Sequence, residues 1–444
     1  MPLHPKTIHY TGFKGLNNYL KAENTDPTYL KKALNIDLDK AGHISKRLGY
    51  TLVDSAVYSS LWTSENGLGC YAIRNGDLVK VNSDYSHTTL INSISKDKIS
   101  FEEVDGLIYY SSITHNGIID NGTIRSWGIS KNLLSPTLSS GTGNLIAGIY
   151  QVLFTYVNKY GIESGSINSA VITVNNGSSI SLYIPTPLDP DILYARIYCS
   201  TPNGTIDYYS GIGNLNSTYT ISSVSSFSNP HRTLGLDKAP TGHIVKYYKG
   251  RIYIASDNIL WYSEPLQYQH FNSASNYIEF PERIREIMPT EDGIWIGSDK
   301  LYYLSGENPD ALTRVIKEYI KIVEGTSTKV SGSYVHMDGI PPGYKWYVTS
   351  DLGVFILASQ GIAVNLTSQN TEIERADLGS SLFLQSKGIN QYLSILKTNS
   401  NPNNSSVGDL VETRIIRNER IFHDAFGIGD SAIAVQRRSG IIIP

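Results

Sequence analysis

Along most of the chain the apolar positions come in short runs, broken by glycine, asparagine, aspartate and serine. Runs of this kind predict strands, and the polar clusters between them predict turns. Tyr150, Val152, Phe154 and Tyr156 fall on alternate positions, the pattern of a strand with one buried face. SAVITVNNGSSISLYIP reads as a strand, an Asn-Asn-Gly turn and a second strand. YARIYCSTPNGTIDYYSGI repeats that arrangement, turning at Pro202-Asn203-Gly204.

One local pattern recurs: a glycine, four mostly apolar β-formers, then small or polar residues. It occurs as GLIYYSS from Gly106, GRIYIAS from Gly250, GIWIGSD from Gly293 and GVFILAS from Gly353, with a weaker copy, GCYAIRN, from Gly69. The glycines at 250, 293 and 353 are spaced by 43 and 60 residues and those at 69 and 106 by 37, against the roughly 40–50 residues of a propeller blade, each blade a four-stranded sheet. The pattern therefore predicts one buried strand per blade, introduced by a glycine turn. The plainer alternative is that any all-β chain produces such strings.

The interval from Gly106 to Gly250 is too long for one blade. Residues 137–228 within it have a texture of their own, and removing them leaves about one blade spacing. The expected organisation is an all-β chain in four parts. These are an N-terminal arm or docking segment (1–50), the first part of a β-propeller (51–136), an inserted fibronectin-III-like β-sandwich (137–228) and the remainder of the propeller (229–444). Insertions are tolerated where loop ends lie close together on the surface.

In the arm, DPTYLKKALNI (Asp26 to Ile36) predicts one or two helical turns, with Asp26 as cap and Pro27 at the first helical position. Ile36 and Leu38 alternate with Asp37 and Asp39 as in a half-buried strand; Ala41-Gly42 offers a turn, and a second short strand follows. At the other end, NSNPNNSSVGD (Asn399 to Asp409) reads as an exposed, mobile loop. The terminal SGIIIP would invite aggregation if exposed, so it is expected to pair with an early strand and close the last blade, or to dock on a neighbour.

Composition agrees with this class. The chain has 444 residues with 31 Tyr, 38 Gly and only 3 Met, a bias toward pleated surfaces and the turns between them. Net charge is −3 with 17% charged residues, so a strong grip on nucleic-acid phosphates is not expected. Any contact with DNA should be loose passage. The N-terminus shows no signal peptide, and no run approaches the ~18 apolar residues of a membrane span. A soluble chain made in a reducing cytoplasm is expected. Cys70 and Cys199 form no metal-ligand spacing and read as buried small hydrophobes.

No phosphate-binding GxxxxGK[ST], HExxH, CxxC or GxSxG is present. His4 and His9 are neighbours in the arm but make a poor metal site. Glu102-Glu103 and Glu291-Asp292 are adjacent pairs, whose side chains would point to opposite faces of a strand, so neither is a natural acid/base dyad. TSDLGVF (Thr349 to Phe355) looks somewhat like the Asp-box turn of propeller glycosidases, but it is one residue short and has no clear second copy. Trp62, Trp127, Trp261, Trp295 and Trp346 could stack on sugars if exposed, although core packing is the default for each. The sequons at Asn176 and Asn216 carry no weight without a secretion signal. No catalytic, cofactor-binding or metal-ligating residue is singled out. The expectation is a non-enzymatic protein without cofactor.

FKGLNN followed by LKKALNIDLDKAGHISKRLGY resembles the opening of the tail nozzle or hub proteins of short-tailed bacteriophages, matching at Gly15, Asn17, Asn18, Asn35, Asp37, Asp39, Gly42, Arg47, Gly49 and Tyr50. GRIYIASDNILWYSEPLQYQHFN (Gly250 to Asn272) and GIWIGSDKLYYLSGENPDAL (Gly293 to Leu312) resemble the propeller segment of the same family, and FTYVNKYGIESG (Phe154 to Gly165) its inserted domain. The resemblance implies a virion protein made in the bacterial host. It would form a homo-oligomeric, six-fold ring of the tail, part of the channel that retains and releases the genome. Its partners would be an adaptor ring, a tail fibre or needle, and double-stranded DNA in transit. Some members are described as packaged-DNA stabilisation proteins. GIPPGYK (Gly339 to Lys345) and the 399–409 loop are candidate gates.

The competing class is a receptor- or glycan-binding propeller, with or without hydrolase activity. A tail ring predicts oligomeric contacts through arm and insertion, and a propeller centre free of ionisable clusters. A glycan-binding propeller predicts Arg and acidic residues converging at the centre.

Overall fold

The computed structural model describes residues 12–31, 36–38, 41–46, 51–52, 54–94, 97–224, 229–306, 309–335, 337–367, 373, 375–386 and 389–398, together with the short strands 416–417, 434–436 and 441–443. His4, His9, the whole 399–409 loop and the motif residues Asn35, Asp39, Arg47, Gly49 and Tyr50 lie outside the described residues.

The fold is all-β. Five four-stranded antiparallel meanders follow one another in the chain. Sheet I comprises Tyr58–Thr63, Cys70–Arg74, Asp77–Val81 and His87–Ile91. Sheet II comprises Ser100–Val104, Leu107–Ser111, Asn116–Asp120 and Thr123–Arg125. Sheet III comprises Ile244–Tyr248, Arg251–Ser256, Ile259–Tyr262 and Tyr277–Glu279. Sheet IV comprises Glu286–Pro289, Gly293–Gly297, Leu301–Ser305 and Thr313–Glu318. Sheet V comprises Thr328–Val330, Lys345–Ser350, Gly353–Ala358 and Ile362–Asn365. A two-stranded hairpin, Ala376–Ser386 with Ile389–Thr398, comes next.

Local chemistry explains the hairpins. At Asp105-Gly106 and Lys249-Gly250 both residues have positive φ (51° and 78°, 42° and 76°), the two-residue turn whose twist matches that of its strands. The recurring glycine strings fall on the second strand of sheets I to IV. GVFILAS departs from this: it is the third strand of sheet V, and Lys345–Ser350 takes the second place. Both strands of that hairpin are buried and β-rich, so the local pattern does not tell them apart.

Successive sheets pack face to face in chain order. Phe101, Tyr110 and Ile119 of sheet II share a core with Tyr71, Ile73 and Leu78 of sheet I. Sheets II and III meet through Tyr109, Ile118, Val245 and Ile252, sheets III and IV through Tyr253, Leu260, Ile294 and Tyr302, and sheets IV and V through Trp295, Tyr303, Trp346 and Phe355. Each buried side chain of this size contributes roughly 1.5–3 kcal/mol. Hydrogen bonds clasp each sheet to the next near its first strand. Ser60 Oγ accepts from Ile99 N (2.8 Å), Ser100 Oγ accepts from Val245 N (3.0 Å), and His243 Nε2 donates to Ile284 O (2.7 Å). Glu286 Oε1 accepts from Gly325 N (2.6 Å), and Ser381 Oγ of the hairpin donates to Thr326 O (2.7 Å). The disposition is propeller-like.

Residues Leu138–Ile221, between sheets II and III, form two further sheets. One holds Leu138–Leu145, Ser178–Ile184 and Ser217–Ile221; the other holds Ala170–Val174, Gly148–Asn158, Ile192–Ser200 and Asp207–Asn214. Tyr150, Val152, Phe154 and Tyr156 enter the core between them with Ile180, Leu182 and Ile197. The expected single buried face is only half of the outcome, because Leu153, Thr155 and Val157 are buried as well. The chain after this strand folds back over its outer face. There Glu163 accepts from Thr155 Oγ1 and Tyr198 OH and pairs with Arg196 at 2.6 Å. His270 Nε2 donates to Glu163 O (2.7 Å) and Thr233 Oγ1 to Ser164 O (2.9 Å), which ties the sandwich to the sheets.

In the arm, Ile36–Leu38 and Ile44–Lys46 pair as an antiparallel hairpin. Gly42 is required at its turn, since a β-carbon there would lie 2.6 Å from Phe13 N and O. The helix expected from Asp26 is absent among the described residues. Asp26 Oδ1 accepts from Thr28 N (2.9 Å) and Tyr29 N donates to Asp26 O (2.9 Å), making a turn. Tyr29–Leu30 then pairs in parallel with Gly15–Leu16. Proline after a capping aspartate suits a turn as well as a helix start, and strand pairing decides between them. At the C-terminus Ile441–Ile443 lies in one sheet with the early strand Thr51–Leu52, with Ile416–Arg417 between them. No helix among the described residues is long and apolar enough to cross a membrane.

Candidate functional site: an axial cavity

First strands of the sheets converge on one cavity of about 490 Å³. Its wall draws Trp62 from sheet I, Glu102 and Glu103 from sheet II, Lys246 and Tyr247 from sheet III, Pro289 from sheet IV, Lys329 and Trp346 from sheet V, and Phe383 from the hairpin. A second cavity of about 160 Å³ shares Leu61, Trp62, Lys246 and Ser327 with the first and adjoins it.

At the wide end, which we call the mouth, the two adjacent glutamates diverge as strand geometry requires. Glu102 pairs with Lys246 (3.2 Å) and accepts from Tyr247 N (3.1 Å), reaching sheet III. Glu103 turns to sheet I, where it accepts from Ser64 Oγ and from Asn66 Nδ2 (2.7 Å). Trp62 stacks on Phe101 with ring centres 5.7 Å apart. Trp346 Nε1 donates to Pro289 O (2.6 Å), and Lys246 Nζ lies 5.9 Å from the Trp346 ring centre. Lys329 sits 4.3 Å from the Tyr344 ring centre and 3.7 Å from Glu65.

At the narrow end, the throat, Lys98, His243, Arg285 and Glu286 face the smaller cavity. Glu286 is buried, which raises its pKa, and Lys98 opposes that shift. Its two oxygens accept from Gly325 N (2.6 Å) and Ser327 Oγ (2.6 Å). Glu324 is buried too, but Lys98 and Arg283 outweigh burial and hold its pKa below the usual range. Burial lowers the pKa of His243.

The expectation of a centre free of ionisable clusters does not hold. Residues 98, 102, 246, 285, 286 and 329 are spread along the chain, and sheets II to V each bring one or two of them to these cavities, at the sheets or just before them. Spacing in the sequence gives no sign of that meeting. The other candidates take structural places. Glu291 accepts from Tyr344 N (2.7 Å) and Ser359 Oγ, and Asp292 accepts from Gln360 N (2.9 Å) and Tyr303 OH, so this pair organises turns. The 339–345 loop is held by that Glu291 bond, and its Lys345 is buried. TSDLGVF forms the turn between two strands of sheet V, where Asp351 Oδ1 accepts from Lys321 N (3.0 Å).

Trp127, Trp295 and Trp346 are buried, while Trp62 and Trp261 are half-buried. Only Trp62 and Trp346 border the axial cavity. Asn176 accepts from Ala147 N (2.7 Å) and Asn216 from Tyr183 OH (2.6 Å). Both cysteines are buried and free, and burial pushes Cys70 up to about 11 and Cys199 up to about 12. No group of three or more metal-ligating side chains exists among the described residues.

No family model matches the chain, and no curated protein matches it either. Among solved structures it is similar to the computationally designed Ika8 protein, at 8% identity and a TM-score of 0.34, over 88% of this chain and 96% of that one. It is also similar to BBS1N in complex with ARL6DN, at 9% identity and a TM-score of 0.29, over 79% and 98% of the two chains. A third is Kluyveromyces lactis Hsv2, at 8% identity and a TM-score of 0.26, over 82% and 90%. None of the three is described as a tail protein, and superpositions this loose carry no argument. The fold statement rests on the strand pairing above.

Proposed function

We propose that the chain is a structural ring subunit of a short phage tail, with copies of it surrounding the path of the genome. The observation that carries this reading is the shared order of the motifs in the sequence: the GxNN and D-x-D-x-x-G stretches of the arm, two propeller segments, and the inserted domain between the first sheets and the rest. The described part of the arm supports it. Phe13 N donates to Gly42 O (2.9 Å) and Asn17 N to Leu30 O (2.8 Å), which holds the two arm motifs against one another.

The genome path would run between subunits. The axial cavity holds about 490 Å³ and is lined by the Lys246–Glu102 pair and aromatic rings, whereas the major groove of a duplex is by itself about 12 Å wide. A net charge of −3 suits a conduit, because a strongly basic wall would retain DNA. A closed ring needs two different, complementary faces on each subunit. Ile149 and Val171, exposed diagonal neighbours on the outer face of the four-stranded sandwich sheet, are candidates for one of them.

The test is negative-stain electron microscopy of purified protein over a range of concentrations. Closed rings with an axial hole wide enough for duplex DNA are expected. Sedimentation as a monomer at every concentration, also after mixing with tails that lack this protein, would overturn the reading.

A second reading, a glycan-binding propeller, is favoured by one observation: Trp62, Tyr247 and Phe383 share the mouth with Glu102 and Glu103, the mixture of flat apolar faces and hydrogen-bonding groups that ligand pockets use. A saturable hit on a glycan array that Trp62→Ala abolishes would establish it.

A further inference from the structure

We propose that the throat of the axial cavity binds a small oxyanion, of the size of sulfate or inorganic phosphate, together with one proton. The throat, about 160 Å³, is bordered by Lys98, Lys246, Arg285 and His243, with Glu286 the one carboxylate on its wall. A water takes about 30 Å³ of liquid volume, so the space suits a few waters or one tetrahedral oxyanion.

Two nitrogens here are buried without a hydrogen-bond partner among the described residues, and a third group, the Lys98 ammonium, acts on Glu286 and Glu324 through charge alone. Lys98 makes no hydrogen bond or ion pair within contact distance among the described residues, and its Nζ stands 3.2 Å from where a β-carbon on Gly325 would lie. Arg285 leans one Nη on Asp377, at 3.6 Å from Oδ1, but its Nε is buried with no partner among the described residues. His243 is 3% exposed; its Nε2 donates to Ile284 O (2.7 Å) while its Nδ1 is buried without a partner among the described residues. Buried orphans of this kind are rare and call for an ordered water or an ion.

Charge selects an anion. Lys246 is engaged by Glu102 (3.2 Å), and Glu286 has both oxygens occupied by Gly325 N and Ser327 Oγ. Glu324 is paired with Arg283 (3.3 Å). The Lys98 ammonium offsets the charges of Glu286 and Glu324 without donating a hydrogen bond to either among the described residues, so its hydrogens and the Nε–H of Arg285 remain for an anion at this cavity. A water there would satisfy hydrogen bonds without neutralising charge, and a metal cation would be repelled.

The proton follows from the imidazole. Because Nε2 keeps its hydrogen for Ile284 O, neutral His243 offers a lone pair at Nδ1, and it becomes a donor to an oxyanion only when protonated. Burial, Arg283 and Lys98 disfavour that protonation while Glu324 favours it. A bound anion adds a second favourable charge, so binding and proton uptake are linked.

Sulfate is the cleaner probe, since its charge is constant over the pH range used. Calorimetric titration of the full chain should show one site that tightens up to about tenfold per pH unit as pH falls from 8 to 6. Lys98→Met should weaken binding at least about tenfold, in keeping with loss of one charged hydrogen bond. His243→Gln should flatten the pH dependence. Absence of saturable binding at tens of millimolar, affinity independent of pH, or unchanged binding in Lys98→Met would each overturn the proposal. Circular dichroism checks that Lys98→Met folds; if it does not, the pH profiles of the unmodified chain and of His243→Gln decide.

Discussion

Asp207 opens the last strand of the four-stranded sandwich sheet, opposite Ser200. Its main chain is engaged, since its carbonyl accepts from His231 N (2.9 Å), but its Oδ1 is buried with no partner among the described residues. Burial pushes its pKa from 3.8 up to about 6. The folded state thus holds a proton that the unfolded chain has released between pH 4 and pH 6. The chain accordingly loses stability as pH rises through that window, and above it the deficit is constant. A shift of this size corresponds to about 3 kcal/mol, and the partial exposure of Asp207 reduces it to about 1–2 kcal/mol. Asp207→Asn keeps the shape and the main-chain bonds but cannot ionise. It should therefore stabilise the sandwich by about 1–2 kcal/mol at pH 8 and by almost nothing at pH 4. All five tryptophans lie outside residues 137–228, so tryptophan fluorescence follows the sheets while far-UV circular dichroism also includes the sandwich. Urea unfolding followed by both signals at pH 4, 6 and 8 measures the effect. An equal effect at all three values, or destabilisation at pH 8, would refute the reasoning.

Trp295 is fully buried between sheets IV and V and donates Nε1–H to Ala358 O (2.8 Å), so Trp295→Ala should cost about 3–5 kcal/mol by urea unfolding. Half-buried Trp261, packed against Tyr277, should lose only about 1 kcal/mol on the same change. Cys70 and Cys199 should resist a thiol reagent at pH 8 in the folded chain and both react in denaturant, since burial favours their protonated form. Glu163→Ala leaves Arg196, Tyr198 and Thr155 without their shared acceptor. It should cost about 2–3 kcal/mol, less than a fully buried pair because Arg196 keeps one side in water, and should speed proteolysis near residues 159–166.

Strand class and turn positions are legible along the chain. Glycine at 42, 106 and 250 and the alternation at Tyr150–Tyr156 are local signals, and alternation states which side chains share a face. What such signals leave open is what that face meets. Thr155 is buried on the other face, where Glu163 of the segment that folds back accepts from its hydroxyl. GVFILAS is the more apolar of the two strands of the sheet V hairpin, yet pairing with Thr328–Val330 makes KWYVTS the second strand. The segment after Asp26 carries helix-start residues, yet parallel pairing of Tyr29–Leu30 with Gly15–Leu16 makes it a turn and a strand. The axial site is the extreme case. Lys98, Glu102, Lys246, Arg285, Glu286 and Lys329 come from four separate stretches of the sequence, none of which is locally distinguishable from solvated surface. They become one site because first strands of successive sheets border the same cavities, and that convergence of distant segments is a property of the tertiary structure alone.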